Sequence, residues 1–152
     1  MMQELPVPRS LYQRAVLLDT GAWVAIADVR DQYHRPAARC LVKLRELAYP
    51  LYVTVLSIAE TYRLLLYKRH LGYAHARRFL ESIYDGSVNI IRATEQDEQR
   101  AIVYIERYKD QRITFTDAIN MAAMSRKGLG KVFSFDQHFR LLGFQTIPPL
   151  AL

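Results

Sequence analysis

Cysteine is nearly absent: Cys40 stands alone in 152 residues, which excludes an intrachain disulfide and suits a reducing, cytoplasmic setting. No Cys/His cluster at zinc-ligand spacing accompanies it, so Cys40 reads as a small core residue on a helix. No apolar run approaches the roughly 20 residues that span a bilayer, so a soluble chain with no membrane partner is expected. Residues 1–14, with two prolines and mixed charge, lack the apolar core of a signal peptide. They read as an N-terminal arm ahead of a single domain at 15–152. Repeats and low-complexity tracts are also missing. Acidic side chains are in deficit, 15 against 21 Lys and Arg, and the net charge of +6 points to a polyanionic partner, nucleic acid before membrane.

What is present is an alternation of short apolar runs and helical patterns. Ala15 to Leu18 reads as a buried strand that meets Asp19-Thr20-Gly21 and turns into a helix. From Pro36, apolar residues at Ala37, Cys40, Leu41, Leu44 and Leu47 keep helical spacing until Pro50. A second strand, Leu51 to Val55, precedes a helix with Ile58, Ala59, Tyr62, Leu65 and Leu66 on one face. There Ser57 and Glu60 fit an S-x-x-E capping box. Tyr73 to Ile83 predicts a further helix and Val88 to Ile91 a third strand. Thr94 caps the next helix, where Glu95, Asp97 and Glu98 suit the positive end of the helix dipole better than a catalytic role. Thr116 reads as the cap of a helix ending near Gly128, followed by strands in KVFSF and FQTIP. The order implies a three-layer α/β domain with a mainly parallel sheet of four or five strands.

Four acids fall where strands pass into helices: Asp19, Glu60, Asp117 and Asp136. In an open parallel sheet such positions meet in a crevice at the strands' C-terminal ends. Two like charges about 4 Å apart repel by roughly 4 kcal/mol at an effective dielectric near 20, so the group calls for a cation. Oxygen-only ligands favour Mg2+ or Mn2+, and such a site supports hydrolysis of phosphodiester bonds without a protein nucleophile. Thr20 and Thr116 can hydrogen-bond a carboxylate or a phosphate oxygen, or serve ordinary turn and cap roles. DTGAW lacks the second aspartate of haloacid dehalogenases, and the third strand runs into Asn89 to Thr94, without the aspartate that a receiver domain phosphorylates.

The segments LLDTGAWVAIAD, SIAETYRLL, TFTDAINMA and FSFDQHFRLLGF resemble the four acidic motifs of PIN domains, and their order and spacing are similar to those of VapC-type toxin ribonucleases. The likeness runs from about Val16 to Ile147. It implies an α/β fold with a parallel sheet, a Mg2+- or Mn2+-dependent endoribonuclease, a cognate antitoxin and a homodimer. It also implies that Asp19 and Asp117 are the principal metal ligands, with Glu60 and Asp136 completing the site and Thr20 and Thr116 at the hydroxyl positions. A non-toxin PIN nuclease of RNA processing and a catalytically inactive RNA- or partner-binding domain are the alternatives.

For RNA, the expected phosphate contacts are Arg35, Arg63, Arg112 and His138, from a wider basic set that includes Arg39, Lys68, Arg69, Lys131 and Arg140. Each has an ordinary reading as well: Arg63 follows Glu60 by three residues, and Lys68, Arg69 and His70 suit a helix C-terminus. His34 reads as a helix-start residue. Tyr62, Tyr67, Tyr104 and Tyr108 read as packing residues, for the core or a dimer.

Overall fold

The computed structural model describes residues 14–148; the arm expected at 1–14 lies outside them except for Arg14. Five strands form one sheet: β1 (Val16–Leu18), β2 (Leu51–Thr54), β3 (Asn89–Ile91), β4 (Lys131–Phe133) and β5 (Gln145–Ile147). Their spatial order is β3-β2-β1-β4-β5, and every pairing is parallel. The expected fold class is therefore what is found.

Among the described residues, six α-helices are fully delimited and cover the sheet: α1 (Thr20–Ala27), α2 (His34–Glu46), α3 (Val55–Tyr67), α4 (Tyr73–Tyr84), α5 (Glu95–Arg107) and α6 (Phe115–Lys127). Alternation along β1 divides the core. Val16 and Leu18 point to one face with Trp23, Leu41, Leu65 and Phe79 from α1 to α4. Leu17 points to the other, with Ala101 and Tyr104 of α5 and the almost fully buried stretch Ala118 to Met124 of α6.

Helix ends explain where the expected boundaries moved. Strand β2 stops at Thr54, one residue early, because Thr54 caps α3 by accepting the Ser57 N–H at 3.4 Å. Strand β4 stops at Phe133, since Ser134 already turns into the loop carrying Asp136. The capping box at Thr94 is present, with Asp97 as the reciprocal acceptor, and Asp97 also pairs with Arg126 of α6 at 2.9 Å. Asp97 therefore has a structural role, and Glu95 and Glu98 share the acidic first turn of the same helix. Helix α2 ends at Glu46, leaving Leu47 exposed beyond it. Cys40 lies half-buried on α2, and burial pushes its thiol up to about 11.

Asp28, the C-cap of α1, is held across the fold by Lys68 at 2.6 Å and His70 at 2.8 Å. So Lys68 and His70 do not simply complement the end of their own helix. Burial opposes the Asp28 charge, yet the contacts from Lys68, His70 and the Arg30 N–H prevail and lower its pKa from 3.8 to about 2. A folded pKa below the unfolded one stabilises the fold above about pH 4, and the effect disappears as pH falls through 2. Asp28→Asn is therefore predicted to cost about 1–2 kcal/mol at pH 7, discounted because Lys68 and His70 are partly solvent-screened, and nearly nothing at pH 2. Urea denaturation of both proteins across that range is the check.

Candidate active site

The chain runs outward from β1 through β2 to β3, then returns to place β4 on the other side of β1. The switch point is thus the C-terminal edge of β1 and β4, where an open parallel sheet forms its crevice. Asp19 leaves β1 with its N–H bonded to the Phe133 carbonyl of β4 at 3.2 Å. One carboxylate oxygen, Oδ1, caps α1 by accepting the Ala22 N–H at 2.8 Å. The other, Oδ2, accepts the hydroxyl of Ser134. Ser134 Oγ also accepts the Asp136 N–H at 2.9 Å, so one buried hydroxyl joins the two acidic loops. Asp136 Oδ1 in turn accepts the His138 N–H at 2.9 Å. Reasoning from sequence missed Ser134; its signal was a hydroxyl residue two positions before the acid at a strand end.

Glu60 and Asp117 arrive from opposite faces of the sheet. Ser57 is not the cap of α3, and the expected S-x-x-E capping box is absent: Thr54 takes that role, which puts Ser57 inside the first turn and Glu60 in the second. Glu60 is consequently free of the helix end, and its Oε2 accepts the Thr116 hydroxyl at 2.6 Å. Thr116 is likewise not the cap of α6. Thr114 is, accepting the Asp117 N–H at 3.1 Å. Both corrections have the same cause: a threonine in extended backbone, two or three residues upstream, starts the helix earlier. Asn120, also missed, locks the two helices together. Its Oδ1 accepts the Thr54 hydroxyl at 2.5 Å, and its Nδ2 donates to Ser57 Oγ at 2.9 Å, all fully buried.

The four acids line a single cleft of about 720 Å³, with Thr20, Tyr33, Phe135 and His138 among its other walls. Asp117, Asp136 and His138 come closest, their ligand atoms all within 4.8 Å of one another. His138 Nδ1 stands 3.1 Å from Asp136 and 3.9 Å from Asp117. Burial, against the pull of the Ser134 and Ala22 hydrogen bonds, pushes Asp19 up to about 7, and the charges of Asp117 and Asp136 add to the rise. Asp117 is pushed up to about 6 by burial and by the charges of Asp136 and Glu60. A divalent cation fits this donor set. The donors are mainly hard oxygens, burial and mutual repulsion raise Asp19 and Asp117 above the ordinary carboxylate range, and the buried Thr20 hydroxyl lining the cleft has no hydrogen-bond partner among the described residues.

Of the expected RNA contacts, His138 lines the cleft, whereas Arg35, Arg63 and Arg112 are exposed and do not. Arg112 follows a 3-10 turn (Lys109–Gln111) in left-handed backbone, φ 54°. Arg140 Nε donates to Thr146 at 3.2 Å, and Lys131 lies over the Tyr49 ring at 5.5 Å, away from the acids. His34 starts α2, its Nδ1 2.7 Å from the Ala25 carbonyl.

A three-layer α/β fold whose switch point gathers four carboxylates defines a class of site rather than one protein. Residues 16–145 match the PIN domain family, and the chain belongs to it. It is 27% identical over 135 residues to the 23S rRNA-specific endonuclease VapC20 of Mycobacterium tuberculosis, covering 88% of this chain and 98% of that one. Among solved structures, that of the M. tuberculosis VapC20 toxin, described as cleaving the sarcin-ricin loop, superposes with a TM-score of 0.76 at 23% identity over 86% of this chain and 96% of its own. A toxin-antitoxin complex from Klebsiella pneumoniae follows at 0.66 and 17%, covering 91% and 100%. FitAcB from Neisseria gonorrhoeae gives 0.65 and 17%, covering 90% and 99%. These structural likenesses establish the fold.

Removing the amide clamp tests the local account. Asn120→Leu leaves the Thr54 and Ser57 hydroxyls buried without their partner and is predicted to destabilise the protein by about 2–3 kcal/mol in urea denaturation. Asn120→Asp in place of Asn120→Leu should cost no less, since it puts a buried charge with no counterion among the described residues at the same spot.

Proposed function

We propose that this chain is a metal-dependent endoribonuclease that hydrolyses RNA phosphodiester bonds in the cytoplasm, acting as the toxin of a toxin-antitoxin pair. The observation that carries the reading is the convergence of Asp19, Glu60, Asp117 and Asp136 in one cleft at the sheet's switch point. The named activity of the relative VapC20, aligned along nearly the whole chain, agrees with it. No helix among the described residues is long and apolar enough to cross a membrane.

In this reading Asp19, Asp117 and Asp136 hold the ion, Mg2+ or Mn2+, with Glu60 completing the set. When bound, such an ion supplies a water of lowered pKa and neutralises charge on the phosphate. The chain's own residues do the rest. Ser134 and the Ala22 N–H fix both oxygens of Asp19, and Thr116 fixes Glu60, so the carboxylates keep their places without an ion to order them. His138, beside Asp136 and Asp117, is the neighbouring group that can carry a proton at Nδ1 toward a departing oxygen. The solved relatives include toxin-antitoxin complexes, and an antitoxin suited to this cleft would insert a basic side chain among its carboxylates. A homodimer is part of the same proposal.

Purified protein with Mg2+ or Mn2+ should cleave a structured RNA, and Asp19→Asn or Asp117→Asn should slow it about a hundredfold or more with the circular dichroism spectrum unchanged. Induced expression should arrest growth, and the Asp117→Asn protein should not. Cleavage at full rate by both variants would remove the assignment.

A further inference from the structure

The acidic cleft has an aromatic rim that the chemistry above does not use. Tyr33 and Phe135 both line the cleft and stack on each other, centroids 4.4 Å apart and planes 5° from parallel. Phe135 rests edge-on against the fully buried Phe133 at 6.1 Å, so a ladder of rings leads from the core to the surface. Tyr33 is fixed from behind by its N–H to Asp31 Oδ1 at 2.8 Å and by the anchored start of α2 at His34. Phe135 covers one face of the ring, yet Tyr33 as a residue remains 40% exposed. A rigid, solvated ring beside a phosphate-handling site is a stacking platform for an unpaired base.

Helix α2 begins one residue after the platform. Arg35, Arg39 and Lys43 recur every four residues along it, all exposed, and none pairs with an acid among the described residues. At 1.5 Å rise per residue the stripe runs about 12 Å away from the cleft. Arg39 and Lys43 then wall a second cavity of about 470 Å³ with Tyr49. Like charges four residues apart on a helix repel weakly, and a bound polyanion relieves that repulsion while releasing its own counterions.

We propose that an unpaired RNA strand leaves the acidic cleft over the Tyr33–Phe135 stack, one base resting on Tyr33, and follows the Arg35, Arg39 and Lys43 stripe along α2 by its phosphates. The surface selects single-stranded or loop RNA over duplex, because a paired base cannot leave its stack to meet the ring. The direction of the strand rests on the nuclease reading; the binding surface does not.

The probe is a fluorescein-labelled 12-nucleotide single-stranded RNA, titrated by anisotropy into Asp117→Asn protein, with an RNA duplex of equal length for comparison. Reversing the stripe (Arg35→Glu, Arg39→Glu and Lys43→Glu together) should weaken single-strand binding at least about tenfold and reduce the slope of log affinity against log salt by about two. Tyr33→Ala should weaken it about tenfold while Tyr33→Phe retains affinity. Wild-type affinity in the reversed-stripe and Tyr33→Ala proteins would overturn the proposal. Unchanged RNA binding combined with lost retention of polyglutamate would overturn it in favour of an acidic protein partner on this face. Absence of metal-dependent cleavage by the unsubstituted chain would instead count against the nuclease reading and leave these binding results standing.

Discussion

Like charges crowded at the seam between β1 and β4 are the constraint on which the site rests. The protein treats two aspartates of one short segment in opposite ways. Asp28 is given Lys68 and His70 and keeps its charge down to about pH 2. Asp19, nine residues earlier, is buried with hydroxyl and amide donors but no cation, and holds its proton up to about 7. Folding alone would favour the first arrangement. Keeping the second, with Asp117 and Asp136 contributing further repulsion, stores a demand for positive charge in the cleft.

Rigid supports keep that demand localised. Ser134 binds Asp19 and the Asp136 backbone at once, Thr116 holds Glu60, and Asn120 ties the helix carrying Glu60 to the helix carrying Asp117. Ser134 and Asn120 are fully buried and do not compete with solvent, while the Thr116–Glu60 bond is part-buried. The carboxylates therefore meet at the switch point through hydrogen bonds made behind them. This is the arrangement expected of a preorganised site.

Much of this was legible in the chain. The position of Asp19 after an apolar run marks the end of β1 directly, since a buried strand cannot continue through a carboxylate, and Asp136 follows the end of β4 by a short loop. Helix periodicity located α2 and α3, and cap residues and terminal charges located α5 and α6. The caps were harder: Ser57 and Thr116 carry the right side chains, but Thr54 and Thr114 compete for the same role, and only backbone geometry decides between them. That choice matters to function, because it frees Ser57 for Asn120 and Thr116 for Glu60. The placement of basic residues was illegible for a different reason. Which exposed side of a helix borders a crevice depends on how it packs: Leu64 lines the cleft and its neighbour Arg63 does not. The stacking of Tyr33 on Phe135 joins residues about a hundred positions apart and left no local pattern.

The central claim is that these carboxylates together bind a divalent cation. Anomalous diffraction from crystals grown with Mn2+ tests it most directly. The account predicts a peak inside the cleft in contact with Asp117 and Asp136 and facing Asp19. Saturating Mn2+ with no peak there, or with peaks only elsewhere on the surface, would contradict it.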